Sequence, residues 1–523
     1  MTGHGFDSNA RKTSSALAFV VFFKSLFGAG LLALPNVIGR VGLILGALVY
    51  ISIGLGCSFS CYLLLRAREI TAKFLANPTA FDGTLGTISI CTYGNYMRQQ
   101  NQEGDQTDRQ NRPHQHLVTY GDLADALLGR TMARITRWTI VVLNILFTAG
   151  LVIVIIENLE SFASSHDVSN ADDEDGVFCM STRQTLGLLL FILVSGLVQI
   201  PWLQDMWITS MLGLAVYTIG VIGSSLFSAF WTTFLGEESG RGMPTDLWEF
   251  KWNGVPAFTG NAVYALEGIN LALPTVHAMQ HPSDAAHVVC GALILYGFVT
   301  FVFVSVAYAG GLGGGVGTGL EAEECDVVTN CITPPALQST IQITLSLAMI
   351  LSIPVMMYPS TEMLEVMLTD HLERKVQENA EWRRRNASKT GGVELLECTR
   401  RDSETKLVQP RGASDFAVVY TDSQISVGQQ QQEFSQDRSW KLRLFLSFLT
   451  VMLGTCMKSF TQFSGFVGAV GLSFAGFVLP PLLFFRAHQA ANRPVGHAML
   501  TGSTLLAIFG TYNMVAGALA AIV

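Results

Sequence analysis

Lys24-Ser25-Leu26-Phe27-Gly28-Ala29-Gly30-Leu31-Leu32-Ala33-Leu34-Pro35 is the stretch on which the fold turns. It lies inside an apolar run, Ala16 to Ile38, that is long enough to cross a bilayer core about 30 Å thick, for which roughly 20 helical residues suffice. The polar residues before it show no cleavage-site pattern, so the run reads as a retained signal anchor. Glycine and proline weaken a helix, and lipid offers no partner to the backbone groups they free. A break at Gly28-Ala29-Gly30 must therefore face protein or water. The N–H groups freed at Gly28, Ala29, Gly30 and Leu31 would suit a carboxylate at a half-helix N-terminus.

The same device recurs once. The run Val255 to Val276 carries Gly260, Glu267-Gly268 and Pro274, with Gly254 just before it. Nine more apolar runs complete the pattern: 41–65, 138–156, 186–203, 208–231, 288–309, 341–358, 442–457, 463–485 and 499–523. Together with 50% hydrophobic and only 14% charged residues, they predict an all-α polytopic membrane protein with eleven transmembrane helices. The interrupted runs are the first and the sixth. That is where they fall if spans one to five and six to ten form two inverted repeats, with one extra C-terminal helix. Carbonyls freed near Glu267, Gly268, Ile269 and Asn270 would meet an ammonium group or a cation, so the two breaks together suit a zwitterion. Either glycine alone is explained by helix packing; the pair, with a carboxylate between, points to a substrate site.

Charges inside spans are costly and functional by default. Lys24 reads either as an anchor reaching back to the cytosolic face or as a functional group. Glu157 closes the third span, where it can reach water. Glu267 is central, suited to carry a coupling proton, to balance a substrate ammonium, or to bond a neighbouring helix.

Of the 32 basic residues, 24 lie at the N-terminus and in the second, eighth and tenth connections, against four (Arg40, Arg183, Arg241, Lys251) on the other side. This bias predicts a cytosolic N-terminus and an extracytosolic C-terminus. The chain then divides into a cytosolic N-terminus (1–15), spans one and two (16–65), a cytosolic insertion (66–134), spans three to eight (135–360), a second insertion (361–441) and spans nine to eleven (442–523). Both insertions are expected to be partly disordered, most of all in Gln99 to Gln115, with a short amphipathic helix at Tyr120 to Leu128 lying along the membrane surface. His371 to Arg385 reads as a charged helix, its Arg383-Arg384-Arg385 either plain topological charge or a contact for anionic lipid. Cys179, Cys325 and Cys331 fall in outer loops, where one disulfide is expected, with the pairing left open.

These residues resemble the amino acid/auxin permease family, within the amino acid, polyamine and organocation transporter superfamily. The likeness rests on Lys24 to Pro35, Tyr120-Gly121-Asp122-Leu123, Glu157-Asn158-Leu159, Ala265-Leu266-Glu267-Gly268 with Leu273-Pro274, and Met357-Tyr358-Pro359-Ser360-Thr361-Glu362. Ala29 stands where the family frequently has Thr, and the two insertions are departures. The resemblance implies a leucine-transporter-like inverted repeat and secondary active amino acid transport coupled to protons or sodium. No cofactor is implied beyond that ion. A sodium site would draw oxygens from the broken first span and from span eight, which offers Thr344, Ser346 and Ser352; protons, with Lys24 and Glu267, are the preferred reading. Neutral amino acids fit a pocket region with one carboxylate. The expected setting is the plasma membrane or a vacuolar or lysosomal membrane.

No nucleophile with a base and no metal-ligand cluster sits at membrane depth, so an enzyme is not expected. No feature suggests nucleic acid. The competing reading is an amino acid sensor with little flux that signals to a cytosolic regulatory partner through the insertion at 361–441.

Overall fold

The computed structural model describes residues 14–76, 119–166, 182–199, 215–234, 247–266, 268–312, 326–390 and 440–520. Glu267, Cys179, Cys325, Gln99 to Gln115 and most of both insertions lie outside these. The described residues form helices and connecting turns, with no β-strand among them. In order they are α1 (Ser15–Ser25), α2 (Gly30–Gly39), α3 (Leu43–Ala76), α4 (Tyr120–Leu128), α5 (Arg130–His166) and α6 (Thr182–Val198). α7 is a π-helical turn, Val216–Gly223, continued by Ser224–Phe234. Then come α8 (Val255–Leu266), α9 (Ile269–Ala278), α10 (Ala285–Ala309), α11 (Pro335–Thr390), α12 (440–456), α13 (Phe460–Ala490) and α14 (His497–Ala520).

Six of these contain segments long and apolar enough to cross a membrane, and α1 with α2 makes a seventh as a pair bent by 56°. Several helices outlast their apolar runs. α3 continues to Ala76 because Glu69 pairs with Arg66 and with Lys73, each at 2.6 Å, one turn before and one turn after it. α5 begins at Arg130, and α11 runs on through the charged stretch His371 to Arg385.

α4 is the short helix the apolar spacing predicts. Thr119 and Asp122 close its N-terminus as a capping box. Asp122 also pairs with Arg137 of α5 at 3.1 Å, and the Tyr120 hydroxyl donates to the Ala475 carbonyl of α13 at 2.8 Å. Tyr120, Leu123, Ala124 and Leu127 are buried, so the apolar face of α4 is covered by protein.

At the centre lies α8, buried from Phe258 to Leu266 between α2 and α13. Its backbone and that of α13 touch directly. A Cβ on Gly260 would strike the Gly465 carbonyl, and one on Gly468 would strike that of Gly260, so only glycine fits there. The Asn261 carboxamide accepts from Ser464 Oγ at 2.6 Å and fixes the same contact.

Candidate functional site

The two helix breaks predicted from glycine spacing are present, and they face one another. α1 ends at Ser25 and α2 starts at Gly30; α8 ends at Leu266 and α9 starts after Gly268. Their packing is reciprocal. Just after the first break, a Cβ on Gly30 would come within 2.8 Å of Tyr264 Cδ1 and 2.9 Å of Ala265 Cα, which lie just before the second. Just after the second break, one on Gly268 would come within 2.6 Å of Leu26 Cδ2 and 3.2 Å of Phe22 Cζ, just before the first.

Neither α2 nor α9 begins with a side-chain cap, so the opening amides of each half-helix are turned toward the breaks. Ala29, Gly30, Leu31, Gly268 and Ile269 are buried, whereas a Cβ on Gly28 would meet nothing within 4 Å. The Gly28 carbonyl is held by the Tyr217 hydroxyl at 2.8 Å. Asn270, in the first turn of α9, keeps both carboxamide atoms buried without a partner, and the Tyr296 hydroxyl is likewise unpartnered. Buried polar atoms are costly to leave unpaired, so these are groups a polar ligand could satisfy.

Aromatic side chains flank the breaks on both sides. Phe27 stands edge-on to Tyr217 and Tyr296, with ring centroids 6.0 and 5.0 Å away, and Phe23 adds a further ring. On the other side, Tyr264 lies between Phe147 in the middle of α5 at 4.9 Å and Phe460 at the start of α13 at 6.1 Å. Tyr217, Tyr296, Phe147 and Phe460 carry no local motif, and the sequence reading missed them. A narrow cavity behind the second break is lined by Cys57, Ser60, Gly268, Ile269, Leu472 and Gly476.

The residues singled out for ion coupling fare unequally. Lys24 occupies the last turn of α1, half-buried, where its charge complements the helix C-terminus. Ser352 donates to the Ala348 carbonyl at 2.9 Å and Thr344 to that of Thr340 at 2.6 Å, both within their own helix. Ser346 is buried and its Oγ has no partner. Cys331 is disulfide-bonded, with its partner outside the described residues.

A bundle of apolar helices, two of them broken and meeting at their breaks, is the architecture of a polytopic membrane protein with a buried polar site. The chain belongs to the transmembrane amino acid transporter protein family, whose model matches residues 84–523 and so begins after the first break. Vacuolar amino acid transporter 4 of Saccharomyces cerevisiae is 24% identical over 357 residues, which are 68% of this chain and 41% of that protein. The match thus spans less than half of the relative's length. Among solved structures, MhsT in complex with L-phenylalanine is similar with a TM-score of 0.38 and 14% identity, covering 97% of this chain and 99% of that one.

Proposed function

We propose that this protein is a secondary active carrier of amino acids, working by alternating access around the two breaks. The observation that carries the reading is their reciprocal contact, Gly30 on Tyr264 and Ala265, Gly268 on Phe22 and Leu26. Such contact is what two inverted five-span repeats produce, with the α1 and α2 pair as span one and α8 and α9 as span six. A second pair of features obeys the same symmetry. π-Helical turns occur in α7, the fifth span of this reading, and in α13, the tenth. α14 is then the extra eleventh span.

The substrate carboxylate meets the N-terminus of α2 at Gly28 to Leu31, and its ammonium meets Glu267, the carbonyl end of α8 and the Asn270 carboxamide oxygen, beside Gly268 and Ile269. With aromatic rings flanking the breaks and one carboxylate, the substrate class is neutral amino acids. Protons are favoured over sodium as the coupling ion, because of the three span-eight hydroxyls offered for sodium, Thr344 and Ser352 bond their own helix and Ser346 alone is without a partner. The fungal relative favours a vacuolar or lysosomal membrane. The segments 66–134 and 361–441 are cytosolic and regulatory, with the N-terminus on their side.

The test is uptake of labelled neutral amino acids into proteoliposomes by wild type and Glu267→Gln, at acid and neutral pH, with and without sodium. Uptake that is acid-stimulated, sodium-independent and lost in the variant is expected. Measurable binding without uptake would favour a sensor instead, the reading toward which the extension of α11 to Thr390 leans.

A further inference from the structure

Two carboxylates converge on the start of α13. Glu157, near the end of α5, accepts the Phe460 amide on Oε1 at 3.1 Å. Asp326 accepts Ser459 Oγ at 2.9 Å and the Thr461 amide at 3.2 Å, both on Oδ2. Three consecutive residues of one helix start thus hold both acids side by side. One helix N-terminus supplies about half a positive charge, which does not neutralise two carboxylates.

The nearby cation Arg183 offsets this charge only in part. Arg183 pairs with Glu160 at 2.9 Å and also donates to the carbonyls of Thr455 and Met457. Lys458 is exposed at the turn before α13. Glu157 Oε2 is sealed from solvent and has no hydrogen-bond partner. Asn158, the next residue, turns its carboxamide oxygen to Thr329 Oγ1 at 2.6 Å. A buried anionic oxygen with no donor is expensive. A proton on Glu157 removes that cost.

We propose that the Glu157–Asp326 pair is a proton-binding site on the extracytosolic side, loaded from that compartment and linked to the roof of the substrate site. Proton uptake converts the Glu157 carboxylate to the acid, with the proton drawn from extracytosolic water. The link is a chain of direct contacts. Glu157 holds the Phe460 amide, the buried Phe460 ring stands edge-on to Tyr264, and Tyr264 rests on Gly30 at the first break. A single free oxygen suits a proton, whereas a metal ion would demand several oxygen ligands. The inference rests on the carrier reading for its side and purpose, and adds a proton site distinct from Glu267.

The test follows two readouts across about pH 5 to 8, a window spanning the range of shifted carboxylates. One is uptake by proteoliposomes. The other is amide hydrogen exchange of residues 460–467, corrected for intrinsic pH dependence, which needs no knowledge of the substrate. Wild type is expected to vary in both; Glu157→Gln, which keeps an acceptor for the Phe460 amide but cannot titrate, should lose the variation in exchange and retain in uptake only the dependence that Glu267 supplies. Asp326→Asn removes the neighbouring charge and should move the midpoint down; it decides the matter alone if Glu157→Gln fails to insert. A pH-independent wild type, a Glu157→Gln variant with the wild-type profile, or an unmoved midpoint in Asp326→Asn would overturn the proposal. Exchange that responds to pH in wild type but not in Glu157→Gln, with no uptake by either, would sink the carrier reading and leave the proton site standing.

Discussion

Gly28 and Gly30 are two residues apart in one motif, yet the space around them differs. A methyl group at Gly28 enters open space, while one at Gly30 is driven into Tyr264 and the Ala265 backbone. Gly30→Ala should therefore cost about 1–3 kcal/mol as overpacking and push the two broken helices apart. Gly28→Ala should leave stability unchanged and weaken only substrate binding. Thermal unfolding in detergent, measured beside uptake, separates the two; equal stability loss in both variants would remove the reciprocal packing as their cause. Asn270 offers a contrast of another kind. Its carboxamide has no protein partner, and an unsatisfied buried polar group costs about 1–3 kcal/mol. Asn270→Leu should thus be as stable as wild type or more so, yet lose substrate binding by calorimetry. Asn270 was within reach of sequence reasoning because it follows Gly268 by two residues. Tyr217 and Tyr296 were not, since nothing near either one records that the fold brings it to Phe27.

At the scale of elements, the breaks were legible because glycine and a charge inside an apolar run have a physical cost that only a cavity relieves. The π-helical turns of α13 were not, because they are maintained by neighbours distant in sequence. The Ala475 carbonyl takes the Tyr120 hydroxyl from α4, that of Gly476 takes Ser60 Oγ from α3, and that of Gly468 takes Ser473 Oγ at 3.0 Å. Ser473 is in turn held by Asn513 of α14 at 2.7 Å. Three separate helices thus stabilise a wide turn that an isolated helix would tighten. Tyr120→Phe removes one of these bonds without changing shape, at a cost of about 1 kcal/mol. Amide exchange over 468–478 should quicken by about fivefold in consequence, 1.4 kcal/mol being tenfold. Unchanged exchange would mean that α4 is only a passive neighbour of α13. The lengths of α3 and α11 escaped the hydropathy reading for a simpler reason: ion pairs and helix-forming polar residues continue a helix beyond its apolar part.

Over the whole molecule, the basic-residue count assigns each loop to a side, and the folded chain supplies a test that the count did not use. Loops assigned to one side should touch only one another. Ser15 donates to Asp284 at 3.1 Å and Gln199 to the Trp440 carbonyl at 3.2 Å, all four residues lying on the cytosolic side of that reading. Arg183 reaches the Met457 carbonyl, Lys251 that of Gly39 at 3.3 Å, and Ser459 reaches Asp326, all on the other side. Inserting or losing one span between these partners would put some of them on opposite faces, so the contacts and the charges support the same arrangement. Cys456 makes it measurable with a native thiol. It is free and exposed at the end of α12, which that reading assigns to the side opposite the N-terminus, while Cys57 and Cys61 are buried and Cys290 is half-buried. A membrane-impermeant maleimide added to sealed vesicles whose extracytosolic face is outward should modify Cys456 and spare Cys57, Cys61 and Cys290, as read by peptide mass spectrometry. Vesicles of the opposite orientation should leave Cys456 unlabelled until they are permeabilised. Labelling of Cys456 from the N-terminal side would invert the last three spans and, with them, the side from which a proton reaches Glu157.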